Sequence, residues 1–164
     1  MSPKKDLPDY TAGSDGRQRC WWCGDDEQYI EYHDREWGKP VADDQQLYEK
    51  MCLEGFQAGL SWITILRKRA AFRSAFGSFK IESVAKFSST RVDKMLLDEK
   101  IVRHRGKIES AINNAQRALA LRKEFGSLAH FFWQFEPAKP KYLDHRKEMK
   151  AYRPESTALS KELK

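Results

Sequence analysis

Apolar residues in this chain recur at intervals of three and four, and the stretches open on Ser or Asp and close on glycine. That pattern dictates helices, because only a period near 3.6 gathers such residues into one stripe. Leu47, Met51 and Leu60 flank Glu54 behind a cap at Asp43 or Asp44, with Gly59 as the stop. Ser61 opens the next stretch, whose Trp62, Ile65, Leu66, Phe72 and Phe76 share a stripe ending at Gly77. Short helical segments are expected from Ile81 to Phe87 and from Arg91 to Leu97. A long helix carries Ile108, Ala111, Ile112, Ala115 and Leu119 to Gly126, and Ser127 caps a short one with Leu128, Phe131, Phe132 and Phe135. Ser156 and Thr157 begin a last stripe. No run alternates with period two, so the expected class is all-α.

Residues 1–18 mix Ser, Pro, Gly, Lys and Asp and read as a flexible tail, with order expected from Arg19 or Cys20. Pro137 to Pro154 is irregular and basic, which reads as a loop. Residues 19–164 then form one domain, a size that buries about two thirds of the unfolded chain's surface. Hydrophobic residues make up 40% of the chain, enough for a core.

Thirty Lys and Arg stand against 24 Asp and Glu, a formal charge of +6. A basic balance favours an acidic polymer as partner, nucleic acid first. No apolar run approaches the ~18 residues of a membrane span, and the N-terminus lacks the apolar core of a secretory signal. The expected compartment is the cytoplasm. Cys20, Cys23 and Cys52 are odd in number, so metal ligation or plain burial is a better reading than a disulfide framework.

Four constellations could carry chemistry. Glu54 lies in an otherwise apolar segment that turns through Gly55 and Gly59 onto Trp62, so it is either a solvated helix residue or a carboxylate poised in a pocket. Lys100 to Ile108 packs Arg103, His104, Arg105 and Lys107 around Gly106 at the start of a helix. Such a turn offers backbone N–H groups and positive charge to a phosphate, although a solvated basic loop has the same composition. Trp21, Trp22, Tyr29, Tyr32, Trp37 and Trp62 are either core or the walls of a pocket for a flat, cationic ring. Cys20-x-x-Cys23 followed by His33 offers three donors, short of the four a structural zinc site uses.

These same segments closely resemble the DNA-3-methyladenine glycosylase I family. The resemblance rests on Arg19-Cys20 with Trp22, on Tyr29 to Pro40, on Leu53 to Leu66, and on Ile101 to Ile108 followed by Asn114-Ala115. Its most specific parts are Tyr32-His33-Asp34 with Glu36-Trp37-Gly38, and Gln57-Ala58-Gly59-Leu60-Ser61-Trp62. It implies a helix-hairpin-helix glycosylase bundle that hydrolyses the N-glycosidic bond of 3-methyladenine in alkylated double-stranded DNA, opening base excision repair.

By that resemblance Glu54 meets the hydrogen-bonding edge of the flipped base and Trp62 stacks on it. Trp22, Tyr29, Tyr32 and Trp37 line the pocket, and Lys100, Arg103, His104, Arg105, Gly106 and Lys107 form the DNA-gripping hairpin. The superfamily's aspartate after the hairpin is characteristically absent from this family, and no acidic residue lies between Gly126 and Phe135. The resemblance therefore implies a monofunctional hydrolase without a lysine nucleophile or Schiff-base chemistry, acting as a monomer. The family also ties its chain ends with zinc, and Cys20 and His33 match the N-terminal pair of ligands. The C-terminal pair belongs to a segment after the position of Lys164, so the chain is expected to be truncated and its zinc site incomplete. The alternative expectation is an impaired relative that binds DNA or a flipped base without turnover.

Overall fold

A computed structural model describes residues 9–138, 150 and 152–163. Most of the expected basic loop, and residues 1–8 of the expected tail, lie outside them. The chain divides into two compact units, residues 40–134 and residues 1–39 with 135–164.

The unit of residues 40–134 is helical throughout its regular structure. It contains α2 (Asp44–Gln57), α3 (Trp62–Ala75), α4 (Ile81–Val84), α5 (Ser89–Met95), α6 (Arg105–Phe125) and α7 (Leu128–Trp133). The starts follow the expected caps: Asp43 accepts from the Gln46 N–H at 2.8 Å, Ser88 from Arg91 and Ser127 from His130. Ser61 precedes α3, but its hydroxyl pairs with the Thr64 hydroxyl at 2.7 Å instead of capping an amide. Gly126 ends α6 with φ of 84°, a conformation that favours glycine.

The core gathers Tyr48, Phe56, Ile65, Phe72, Phe76, Phe79, Ile108 and Leu128, all buried. Phe56 and Phe72 lie 4.5 Å apart between ring centroids. The Tyr48 hydroxyl, the one polar tip among these rings, donates to the Ala111 carbonyl at 2.8 Å and so ties α2 to α6. One turn earlier, Asp44 accepts from the N–H groups of Leu128 and Ala129 and pairs with Arg122. These polar ties fix the first turns of α2.

The second unit adds to the expected helical class a small two-stranded sheet, whose first strand falls within residues 1–18. Strands β1 (Tyr10–Ala12) and β2 (Gln18–Cys20) pair antiparallel, with Tyr10 opposite Cys20. The turn between them is closed by the Gly13 N–H donating to the Arg17 carbonyl, with Gly16 at φ of 76°. Arg19 then clamps the ribbon onto the helix α1 (Glu27–Arg35) through Asp15 and Asp34. Turn chemistry and ion pairs specify these strands, which is why no apolar alternation announced them. Helix α1, capped by Asp26 on the Tyr29 N–H, was likewise not among the expected helices. Helix α8 (Pro154–Glu162) starts two residues before Ser156, whose hydroxyl instead accepts from the Arg153 N–H at 3.0 Å.

Candidate active site

Glu54 sits in the last turn of α2, with Leu53 and Phe56 on either side anchored in the core. Its own side chain faces outward. Burial around the carboxyl nevertheless raises its pKa above the usual glutamate range, with Lys50 opposing the shift. A carboxylate held in this way is partly stripped of water and favours a cationic partner. Two residues after the helix, Gly59 takes a φ of 81°, and the chain turns onto half-buried Trp62 at the start of α3.

The hairpin follows α5. Buried Ile101 anchors it in the core, while Lys100, Arg103, His104 and Arg105 are exposed. His104 is the N-cap of α6: its Nδ1 accepts from the Lys107 N–H at 3.2 Å. A Cβ at position 106 would stand 3.3 Å from the His104 ring, so Gly106 makes room for the cap, inside the first turn of α6. Arg103 pairs with Glu99, and Arg105 with Asp93 and Glu109. Exposed pairs of this kind are worth about 0–1 kcal/mol, so a phosphate can displace the carboxylates at little cost. Lys107 is different: it is partly buried, and its Nζ donates to the carbonyls of Phe56 at 2.8 Å and Ala58 at 2.5 Å.

In the unit of residues 1–39, Trp22 is the centre of the aromatic group. Its ring lies 5.0 Å from Tyr29, 5.2 Å from Trp37 and 6.4 Å from Tyr32, and the His33 ring stacks on Trp37 at 5.4 Å. Tyr32 is buried, whereas Trp37 is 44% exposed. Cys20 and His33 meet in the same place, the Cys20 N–H donating to His33 Nε2 at 3.4 Å.

The His33 Nδ1 is 2.9 Å from Asp34, so it carries the proton and leaves the Nε2 lone pair toward Cys20. A carboxylate behind a histidine in this way fixes the tautomer that a metal ligand needs. Burial raises the Cys20 thiol, which a metal would have to deprotonate. The donor chemistry fits zinc, but among the described residues no three His, Cys, Asp or Glu side chains come together to hold a metal. Cys23 is buried and lies outside such a group.

The family model for methyladenine glycosylase matches residues 22–164. This chain belongs to the methyladenine glycosylase family. It is 46% identical over 122 residues to the DNA-3-methyladenine glycosylase of Haemophilus influenzae, a match covering 74% of this chain and 66% of that protein. With DNA-3-methyladenine glycosylase 1 of Escherichia coli it shares 41% identity over 149 residues, 90% of this chain and 80% of the relative. A crystal structure of 3-methyladenine DNA glycosylase I superposes with a TM-score of 0.84 at 42% identity, covering 89% of this chain and 81% of the other. The fold is that of these glycosylases, and the two-stranded ribbon is a small addition to a mainly helical chain.

Against this family background, three residues stand out that sequence reasoning left without a role. Asp34 orients His33, and a carboxylate beside a candidate histidine ligand was a usable signal. Arg19, 5% exposed, holds Asp34 and Asp15 in turn and lowers both carboxyls far below the usual range. Lys68 of α3 donates to the carbonyls of Glu99 and Lys100 at 3.1 Å each. A contact spanning 31 residues leaves no local trace in the sequence.

Proposed function

We propose that this protein is a monofunctional DNA-3-methyladenine glycosylase acting as a monomer on alkylated double-stranded DNA in the cytoplasm. The observation that carries the reading is Glu54, a carboxylate with a raised pKa at the end of α2, within a chain matched to the methyladenine glycosylase family from residue 22 to 164. Among the described residues no helix is long and apolar enough to cross a membrane, in keeping with a DNA substrate.

The chemistry asks little of an acid catalyst. A 3-methyladenine nucleotide is already cationic, so its glycosidic bond is weakened and the base departs neutral. Water adds to the sugar carbon, the bond electrons pass to the base, and the water's proton goes to solvent, leaving an abasic site. The protein's task is to take the base out of the stack and hold it. Ionised Glu54 accepts a charge-assisted hydrogen bond from the base edge, which favours the cation over normal adenine. Trp62 is proposed to stack on that base, and, within their own unit, Trp22, Tyr29, Tyr32 and Trp37 are proposed as aromatic surface suited to a cationic ring.

Lys100, Arg103 and Arg105 are proposed to exchange their weak ion pairs for phosphates, with the capped start of α6 at His104 and Gly106 supplying backbone N–H groups. Cys20 and His33 are proposed to hold a structural zinc ion, which would tie β2 to α1 when bound.

Incubating the protein with methylated duplex DNA and quantifying free 3-methyladenine tests the function. Release above a protein-free control, with no strand cleavage, is expected. Tight DNA binding without release would overturn the enzyme and leave a binding module.

A further inference from the structure

Lys107 belongs by sequence to the basic hairpin, yet its ammonium rests on the carbonyls at the end of α2. A helix leaves its last carbonyls without internal partners. Here the Ala58 N–H donates to Gly55 and the Leu60 N–H to Gln57, while Lys107 supplies both Phe56 and Ala58. Every carbonyl from Gly55 to Ala58 thus has a donor, and two of the four depend on one side chain. Lys107 also lines the cleft between α2 and α6 together with Met51, Gly55, His104 and Asn114. Its backbone N–H, in turn, is the one capped by His104.

From this we infer that Lys107 is a positioning residue, which locks the Glu54 turn and the Gly59 loop to the start of the hairpin helix, and not a phosphate ligand. Two elements of separate function, the base-recognising end of α2 and the DNA-facing end of α6, then move as one piece. Its positive charge also suits a helix C-terminus. Lys68 does the equivalent on the other side of the hairpin, joining α3 to Glu99 and Lys100. The activity arm of the test rests on the glycosylase reading; the exchange and binding arms do not.

The test compares wild type, Lys107→Met and Lys107→Arg. Amide hydrogen exchange is read over residues 57–61 and over the α3 and α6 cores. DNA affinity is read as a function of salt, and base release is measured at saturating DNA. In Lys107→Met, exchange at 57–61 should rise at least about tenfold with the cores unchanged, and the release rate should fall about tenfold or more. The slope of log affinity against log salt should stay at the wild-type value, since no phosphate contact is lost. Lys107→Arg should recover part of the protection and part of the rate. A salt slope reduced by about one, with exchange at 57–61 unchanged, would overturn the inference and make Lys107 a phosphate ligand. Uniformly faster exchange across the cores would also overturn it, by showing a global stability role. If wild type releases no base, the glycosylase reading fails while the exchange and salt arms still decide Lys107.

Discussion

The two units of this molecule are held together by different physics. Residues 40–134 bury a continuous set of aromatic and aliphatic side chains, from Tyr48 to Phe131. In residues 9–39 the buried side chains are Arg19, Cys23 and Tyr32, and order comes from a guanidinium between two carboxylates and from ring edges around Trp22. The unit that presents Glu54 and the hairpin is a rigid apolar scaffold. The unit that presents Cys20, His33 and exposed Trp37 is a polar assembly, and such assemblies respond to pH, salt and metal where an apolar core does not.

The sharpest break of this contrast is Phe72→Ala. Phe72 is fully buried against Phe56 and Phe76, so the truncation should cost about 3–5 kcal/mol of unfolding free energy. Chemical denaturation followed by far-UV circular dichroism measures it, and the loss should be the same at pH 4.5 and pH 7.

Acid should act on the other unit. Asp15 and Asp34 are held far below the usual 3.8, first by hydrogen bonds from Arg19. Depressed carboxyls stabilise the fold at every pH above their unfolded value and lose that contribution as pH falls through the folded one. The near-UV signal of the Trp22 group should therefore decay below about pH 4, ahead of the helical signal of residues 40–134. Arg19→Met should shift this decay to higher pH. If both signals fall together in wild type and variant alike, the division of labour between the units is wrong.

Zinc sharpens the same contrast. Adding one equivalent of zinc to metal-free protein should raise the thermal midpoint of the Trp22 signal and leave that of the Phe72 core unchanged. Cys20→Ser should abolish the rise, because thiolate ligation is lost.

The smallest effect on folding is expected at the hairpin. Arg105→Gln removes only exposed ion pairs, so unfolding free energy should move by less than about 1 kcal/mol. DNA binding should lose about one unit of salt slope. A stability loss without a change in slope would show that Arg105 serves Asp93 and Glu109, not phosphate.

What the sequence made legible follows the same divide. Helices α2, α3, α6 and α7 were readable because apolar period, caps and stop glycines agree there. The Glu54 turn and the hairpin were readable as candidate sites for a related reason: a lone carboxylate and a basic cluster stand out against apolar stripes. The β1–β2 ribbon was not, since its register depends on Arg19 reaching Asp34 fifteen residues away. The contacts of Lys107 were not legible either. Its neighbours Arg103 and Arg105 are exposed and carry the composition of a phosphate grip, but only the folded chain shows its ammonium on the α2 carbonyls.

The central claim is that ionised Glu54 recognises a cationic base. Single-turnover release of 3-methyladenine from methylated DNA, measured from pH 4.5 to 8 against a protein-free control, tests it most directly. Because burial raises the Glu54 pKa above 4.5, wild-type rate should fall on the acid side with a one-proton limb centred above that value. Glu54→Gln should be slower by about a hundredfold at neutral pH and should lose that limb. A Glu54→Gln variant that keeps both the wild-type rate and the acid limb would contradict the account.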